Sequence, residues 1–130
     1  MADSPSDGPL IYIDRSRVFE DRWEDVKVGI RALVAFVDRH QPQMATYGFY
    51  LDEDSNEMTV VSVHPDSASL ERHIEMGAPE FAKLGPFLEL REIEVFGHLS
   101  ERAVELVRQK ATTLGRGAVT VHERFAGFER

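Results

Sequence analysis

The sequence predicts an α+β fold: a ferredoxin-like antiparallel sheet with helices on one face and an α-β extension at the C-terminal end. Three observations carry that prediction. Short strands and helical stripes follow one another in the order β-α-β-β-α-α-β, with a further α-β pair behind them. Two neighbouring strands, residues 44–51 and 58–64, are apolar in both phases, so each must be covered on both sides. The helices of one short chain can cover only one side, and the bare face calls for a second copy of the chain.

The elements can be justified in order. Residues 1–9, rich in Ser, Asp, Pro and Gly, read as a disordered tail, and residues 10–130 as one domain. Residues 10–17 form a strand with Leu10 and Tyr12 on one face and Ile11 and Ile13 on the other. Residues 21–40 form the clearest helix. Its stripe is Trp23, Val26, Ile30, Leu33, Val34 and Val37, widened by Val28 and Phe36 and closed by Pro42. Residues 44–51 and 58–64 pair as a hairpin through the polar loop DEDSNE. Within the first of these strands, Gly48 suggests a bulge or the close approach of another group.

A helix then starts at Asp66 or Ser67, either of which can cap its free amides. Leu70, His73, Ile74 and Gly77 share its inward face. Gly77 is expected to end it, with Pro79 opening a second short helix that carries Phe81 and Leu84. Gly85-Pro86 breaks that helix. Residues 90–96 alternate Ile93 and Val95 against Glu92 and Glu94, which reads as an edge strand. Ser100 caps a last helix with the stripe Ala103, Val104, Val107, Ala111 and Leu114. Residues 118–125 read as a final strand that adds an edge to the sheet, its own or a partner's.

Composition excludes several classes. A net charge of −8 with no basic run argues against nucleic acid or an anionic membrane as partner. With no cysteine there is no disulfide, thiol nucleophile or thiolate metal site. The polar, acidic MADSPSDGP start is unlike a signal peptide, and no apolar run reaches the roughly 18 residues of a membrane span. A cytoplasmic location is the expectation.

A resemblance sharpens this reading. Tyr47, Phe49, Tyr50 and Asp52 in a Y-x-F-Y-x-D strand, followed by Asp66, His73, Pro79, Phe81 and a strand ending at Gly97, resemble the antibiotic biosynthesis monooxygenase-like family of dimeric α+β barrels. The match covers roughly residues 10–98 and leaves 99–130 as an extension. The resemblance implies a homodimer joined through its sheet faces. It also implies a cofactor-independent monooxygenase acting on a small aromatic or quinol-type substrate between helices and sheet. A non-catalytic small-molecule-binding or stress-related barrel is the alternative. Asparagine and tryptophan, which the family's aromatic and haem chemistry uses in the pocket, occur here once each. Asn56 falls in the hairpin loop and Trp23 at the start of the first helix. No haem or other cofactor is therefore expected.

Among individual residues, His73 is the candidate catalytic group, because an imidazole can move a proton at neutral pH. The bland alternative is a core histidine tying helix to sheet. Trp23, Tyr47, Phe49, Tyr50, Phe81 and Phe87 are candidate pocket-lining residues, with core packing as their alternative role. His64 reads as a loop or capping residue at a strand mouth, and His40, His98 and His122 as residues of element ends or exposed positions. No pair has the spacing of a metal motif. The run Arg108-Gln109-Lys110 reads as a solvated face.

Overall fold

The computed structural model describes residues 8–130, so the expectation of disorder for residues 1–7 lies outside the described residues. The elements are β1 (Leu10–Val18), α1 (Trp23–His40), β2 (Thr46–Asp52), β3 (Glu57–His64), α2 (Ser67–Ala82), β4 (Leu88–Phe96), α3 (Glu101–Leu114) and β5 (Gly115–His122). They build one five-stranded sheet in the order β2-β3-β1-β4-β5. The first four strands pair antiparallel in the ferredoxin-like arrangement, and β5 joins β4 in parallel. No helix among the described residues is long and apolar enough to cross a membrane.

Three differences from the sequence reading have physical causes. β4 is not an edge, because β5 pairs outside it. Its Glu92 and Glu94 alternate with Ile93 and Val95 because one sheet face is polar there. β5 begins at Gly115, three residues earlier than expected. A Cβ at that position would lie 2.4 Å from the Leu90 carbonyl oxygen, so only glycine lets the strand start against β4. Finally, α2 is one continuous helix that contains Pro79. Gly77 does not stop it. The Phe81 ring lies over Gly77, where a Cβ would come within 2.5 Å of the ring edge, so the glycine is there for packing.

The helices cover one face of the sheet. On β1, Leu10, Tyr12, Asp14, Ser16 and Val18 point toward them, and on β3 so do Met58, Val60, Ser62 and His64. Two apolar clusters result. One packs α3 and Leu70 and Ile74 of α2 on Leu10, Tyr12, Leu90, Ile93 and Val95. The other packs Val26, Leu33 and Val37 of α1, with Phe81 and Leu84, on Val18, Met58, Val60 and Leu88. Val34, expected in the stripe of α1, and Val28, expected to widen it, face solvent instead.

The opposite face carries Ile11, Ile13, Val61, Val63, Tyr50 and Phe96, of which Ile11, Tyr50 and Phe96 are exposed. The outer phase of β3 is thus apolar at Val61 and Val63, as the sequence implied, and that of β1 at Ile11 and Ile13. β2, expected to be apolar in both phases, turns Thr46, Gly48, Tyr50 and Asp52 outward instead. Among the described residues nothing covers this face. The β2–β3 register runs without a bulge; the close approach at Gly48 comes from the Tyr50 ring.

Candidate functional site

A polar seam separates the two apolar clusters, and the sequence dictates where it runs. In β1 the inward phase passes from Leu10 and Tyr12 of one cluster to Val18 of the other through Asp14 and Ser16. β3 contributes Ser62 and His64, and α2 adds Ser69 and His73, which follows Leu70 on its inward face. Ser69 N–H donates to Asp66, the N-cap of α2, at 2.9 Å, which fixes the rotation of this helix over the seam. α3 delivers Lys110, three residues after Val107 and four before Leu114.

The centre of the seam is an ion pair. Lys110 Nζ donates to Asp14 Oδ2 at 3.3 Å, with the two side chains 9% and 4% exposed. Tyr12 OH donates to the same oxygen at 2.6 Å. Among the described residues the donors to Asp14 all reach Oδ2, so Oδ1 stays available. The ammonium also lies over two aromatic faces, 4.2 Å from the Phe81 centroid and 4.8 Å from that of Tyr12. Burial pulls the Lys110 amine below the usual lysine range, and Asp14 opposes that shift. Burial and the Asp14 charge push the Tyr12 and Tyr47 phenols up, so both stay protonated.

Two spaces adjoin this pair. A cavity of about 30 Å³ has Asp14, Ser16, Tyr47, Phe49, Phe81 and Lys110 in its walls, with room for water and nothing larger. A groove of about 130 Å³ runs between α2 and α3 past Ile74, Ala78, Phe81, Lys110 and Leu114. Phe81, Lys110 and Leu114 form the wall common to both.

The histidines stand behind this wall. The His73 ring meets Tyr47 edge-on at 5.2 Å, Phe81 at 5.3 Å and His64 at 5.4 Å between centroids. Its Nδ1–H donates to Gln41 Oε1 at 3.0 Å, and Gln41 Nε2 is left as a buried donor without an acceptor among the described residues. His64 is held by Ser62 Oγ at 3.0 Å and Ser69 Oγ at 2.9 Å, one on each ring nitrogen. Burial, then the Lys110 charge, lowers the His64 pKa to about 4 and drives His73 well below the usual histidine range. Both rings are neutral at pH 7. His64 is therefore a core residue and not a loop cap.

Of the expected pocket residues, Tyr47, Phe49 and Phe81 line the cavity. Tyr50 points to the outer sheet face and is 60% exposed. Trp23 and Phe87 pack at the margin of the α1 cluster, and Trp23 Nε1–H donates to Asn56 Oδ1 at 3.1 Å. The chain's only Trp and only Asn thus meet each other at the hairpin, away from the cavity. His73 is buried in the expected register but touches the cavity only through Tyr47 and Phe81. Asp14, Tyr12 and Lys110 were missed. Lys110 belongs to the helix stripe, so the solvated reading holds for Arg108 and Gln109 and fails for Lys110. Among the described residues no group of three or more His, Asp or Glu could hold a metal ion.

No protein-family model and no curated protein matches the sequence. Solved structures do. MupZ from Pseudomonas fluorescens superposes with a TM-score of 0.74 over 95% of each chain at 15% identity. SnoaB, a cofactor-independent oxygenase from Streptomyces nogalater, matches with a TM-score of 0.59 at 18% identity, over 72% of this chain and 95% of its own. A Caulobacter crescentus protein provisionally named an antibiotic biosynthesis monooxygenase gives 0.65 at 15% identity, over 73% and 93%. The chain has the fold of the antibiotic biosynthesis monooxygenase-like structures. The match to SnoaB leaves more than a quarter of this chain uncovered, whereas the match to MupZ spans nearly all of it.

Proposed function

We propose that this chain, with the fold of those oxygenases, is a cofactor-independent monooxygenase acting on a small phenolic or quinol-type aromatic. The observation that carries the reading is the Asp14–Lys110 pair, set among aromatic rings at the wall of a cavity with one carboxylate oxygen free. Substrate reaches it from the groove between α2 and α3 once Phe81 and Leu114 turn aside and join the two spaces. Asp14 Oδ1 takes a proton from the substrate, and the Lys110 ammonium holds the resulting phenolate in a dry setting. The electron-rich anion passes one electron to dioxygen, and the radical pair combines to a peroxide. Loss of water leaves a carbonyl, so a CH₂ and O₂ become C=O and H₂O. His73, buttressing Tyr47 and Phe81, is a positioning residue in this scheme.

The test is oxygen uptake with hydroxylated naphthalenes or anthrones and no added cofactor. Uptake should fall by roughly 100-fold or more in Asp14→Asn. No uptake above buffer in the folded wild-type protein sinks the proposal, as does full activity in the variant. The alternative is a non-catalytic small-molecule-binding barrel that uses the same spaces without chemistry. Saturable binding of the same aromatics without uptake would establish it.

We also infer a homodimer through the outer sheet face. Support comes from exposed Ile11, Tyr50 and Phe96, and from a groove of about 420 Å³ at that end, bordered by Ile11, Val63, Phe96 and His122. Such an interface buries on the order of 2,000 Å², and sedimentation at micromolar concentration should give twice the chain mass of 14.7 kDa.

A further inference from the structure

We propose that Lys110 is also a carbonyl-capturing amine, forming an iminium with small aldehydes and ketones that reach it through the groove between α2 and α3. This goes beyond the oxygenase reading and does not rest on it, since that reading uses Lys110 only as a fixed positive charge.

Four features of the structure support it. Lys110 is in the walls of both the groove and the inner cavity, so a ligand of a few carbons in the groove meets it without crossing the core. Among the described residues one of its three N–H donors finds an acceptor, at a long 3.3 Å, and Nζ otherwise faces the rings of Phe81 and Tyr12. A weakly hydrogen-bonded amine between two rings loses little when it changes partner. Its neighbour Asp14 already accepts that N–H on Oδ2, so the ammonium proton has an acceptor in place. The Tyr12 phenol, bonded to the same carboxylate oxygen, keeps the carboxylate in place as it changes protonation state. Burial, which disfavours the ammonium, adds to the same tendency.

The chemistry balances without an added reagent. The Lys110 ammonium gives a proton to Asp14, and the neutral amine adds to the carbonyl carbon. The carbinolamine nitrogen sheds its extra proton as the oxygen is protonated. Asp14 then returns its proton to the departing hydroxyl, which leaves as water. The site begins as ammonium, carboxylate and carbonyl compound and ends as iminium, carboxylate and water, with no change in net charge. The small groove limits the partner to compact aliphatic carbonyls.

The sequence makes the test clean, because it contains three lysines, Lys27, Lys83 and Lys110. Lys27 pairs with Glu24 and Glu53 at the surface, and Lys83 is exposed beside Glu80. The full chain is incubated at pH 7 with propanal or butanone and cyanoborohydride, which reduces an iminium to a stable secondary amine. Peptide mapping by mass spectrometry then reads the site. The expected result is alkylation of Lys110 at least ~10-fold faster than of Lys27 or Lys83, and its selective slowing in Asp14→Asn with the surface lysines unchanged. Circular dichroism confirms that the variant is folded. A Gly77→Ala chain, in which Phe81 must shift, serves as a second variant and should change the Lys110 rate alone. Labelling of Lys110 no faster than of Lys83 overturns the proposal, as does a rate indifferent to both substitutions. Oxygen uptake, measured separately, reports on the other reading, so either can fail alone.

Discussion

Asp14 and Arg15 are neighbours in one strand, and each is paired with opposite charge, yet the two pairs live in different media. Arg15 points to the outer face, where it donates to Glu92 and Glu94 at 2.5 and 2.9 Å, and Glu94 also meets His122 at 3.1 Å. These side chains are between 28% and 46% exposed, so water screens them. Asp14 points inward to a single lysine across 96 residues of sequence, with almost no water around either. Bringing two charges there costs far more than stacking leucine and methionine would. A fold that needed only stability would have filled the inner position with a hydrocarbon. The inner pair is therefore where function is to be sought, while the half-solvated outer network calls for no such explanation.

The largest effect should come from breaking the inner pair. Lys110→Met leaves the Asp14 carboxylate buried with only Tyr12 to satisfy it, and should cost about 3–5 kcal/mol. Adding Asp14→Leu removes the orphaned charge and should restore most of that stability. Denaturant unfolding of the two single variants and the double gives the coupling directly. A single variant within ~1 kcal/mol of wild type would mean that the pair is solvated after all.

The outer-face pattern was easy to read from the sequence and the inner pair was not. Strand periodicity alone gave two apolar phases in β3, and the Ser100 cap followed from spacing: Ser100 accepts from Ala103 N–H at 3.0 Å. Lys110 obeys the same spacing, falling on the line through Ala103, Val107 and Leu114. Its charge, inside Arg108-Gln109-Lys110, disguised it as surface. Asp14 was likewise in phase with Leu10 and Tyr12. What no spacing rule carries is the meeting of strand and helix residues so far apart in the chain. Gly77 and Pro79 misled for a related reason: both are local helix breakers, and the packing of Phe81 over Gly77 outweighs their propensity.

A second, smaller effect concerns the histidines behind the inner wall. The His64 pKa is lowered to about 4 in the fold, against an unfolded value near ~6.5. Above pH ~6.5 both states are neutral and the stabilisation is complete. As pH falls, the unfolded chain takes the proton first, and stability declines until the folded pKa is passed. The decline from His64 alone is on the order of 3 kcal/mol, and His73 shifts in the same direction. Unfolding midpoints at pH 7 and pH 4.5 should differ accordingly, and His64→Gln should flatten the profile. A wild-type profile already flat over that window would place both rings in water.

The smallest effect expected is that of Arg15→Ala on the outer face. Within one protomer its contacts are half-solvated, so the unfolding midpoint should move little, and the residue of that shift should vanish at high salt. That expectation changes if the outer face is covered by a second copy. Arg15 lies on the same face as Ile11, Ile13, Val61 and Val63, so a partner sheet resting on them would also close over the Arg15–Glu94–His122 network. Desolvation would then make the pairs worth more and tie their loss to assembly. The two cases separate by protein concentration. If the face is free, Arg15→Ala unfolds at the same midpoint at 1 and 100 times a chosen dilution, and sediments like wild type. If it is an interface, the variant should lose dimer on dilution sooner than wild type, and its midpoint should rise with concentration. A concentration-independent midpoint in wild type and variant alike would remove the homodimer and leave the apolar outer phase without a cover.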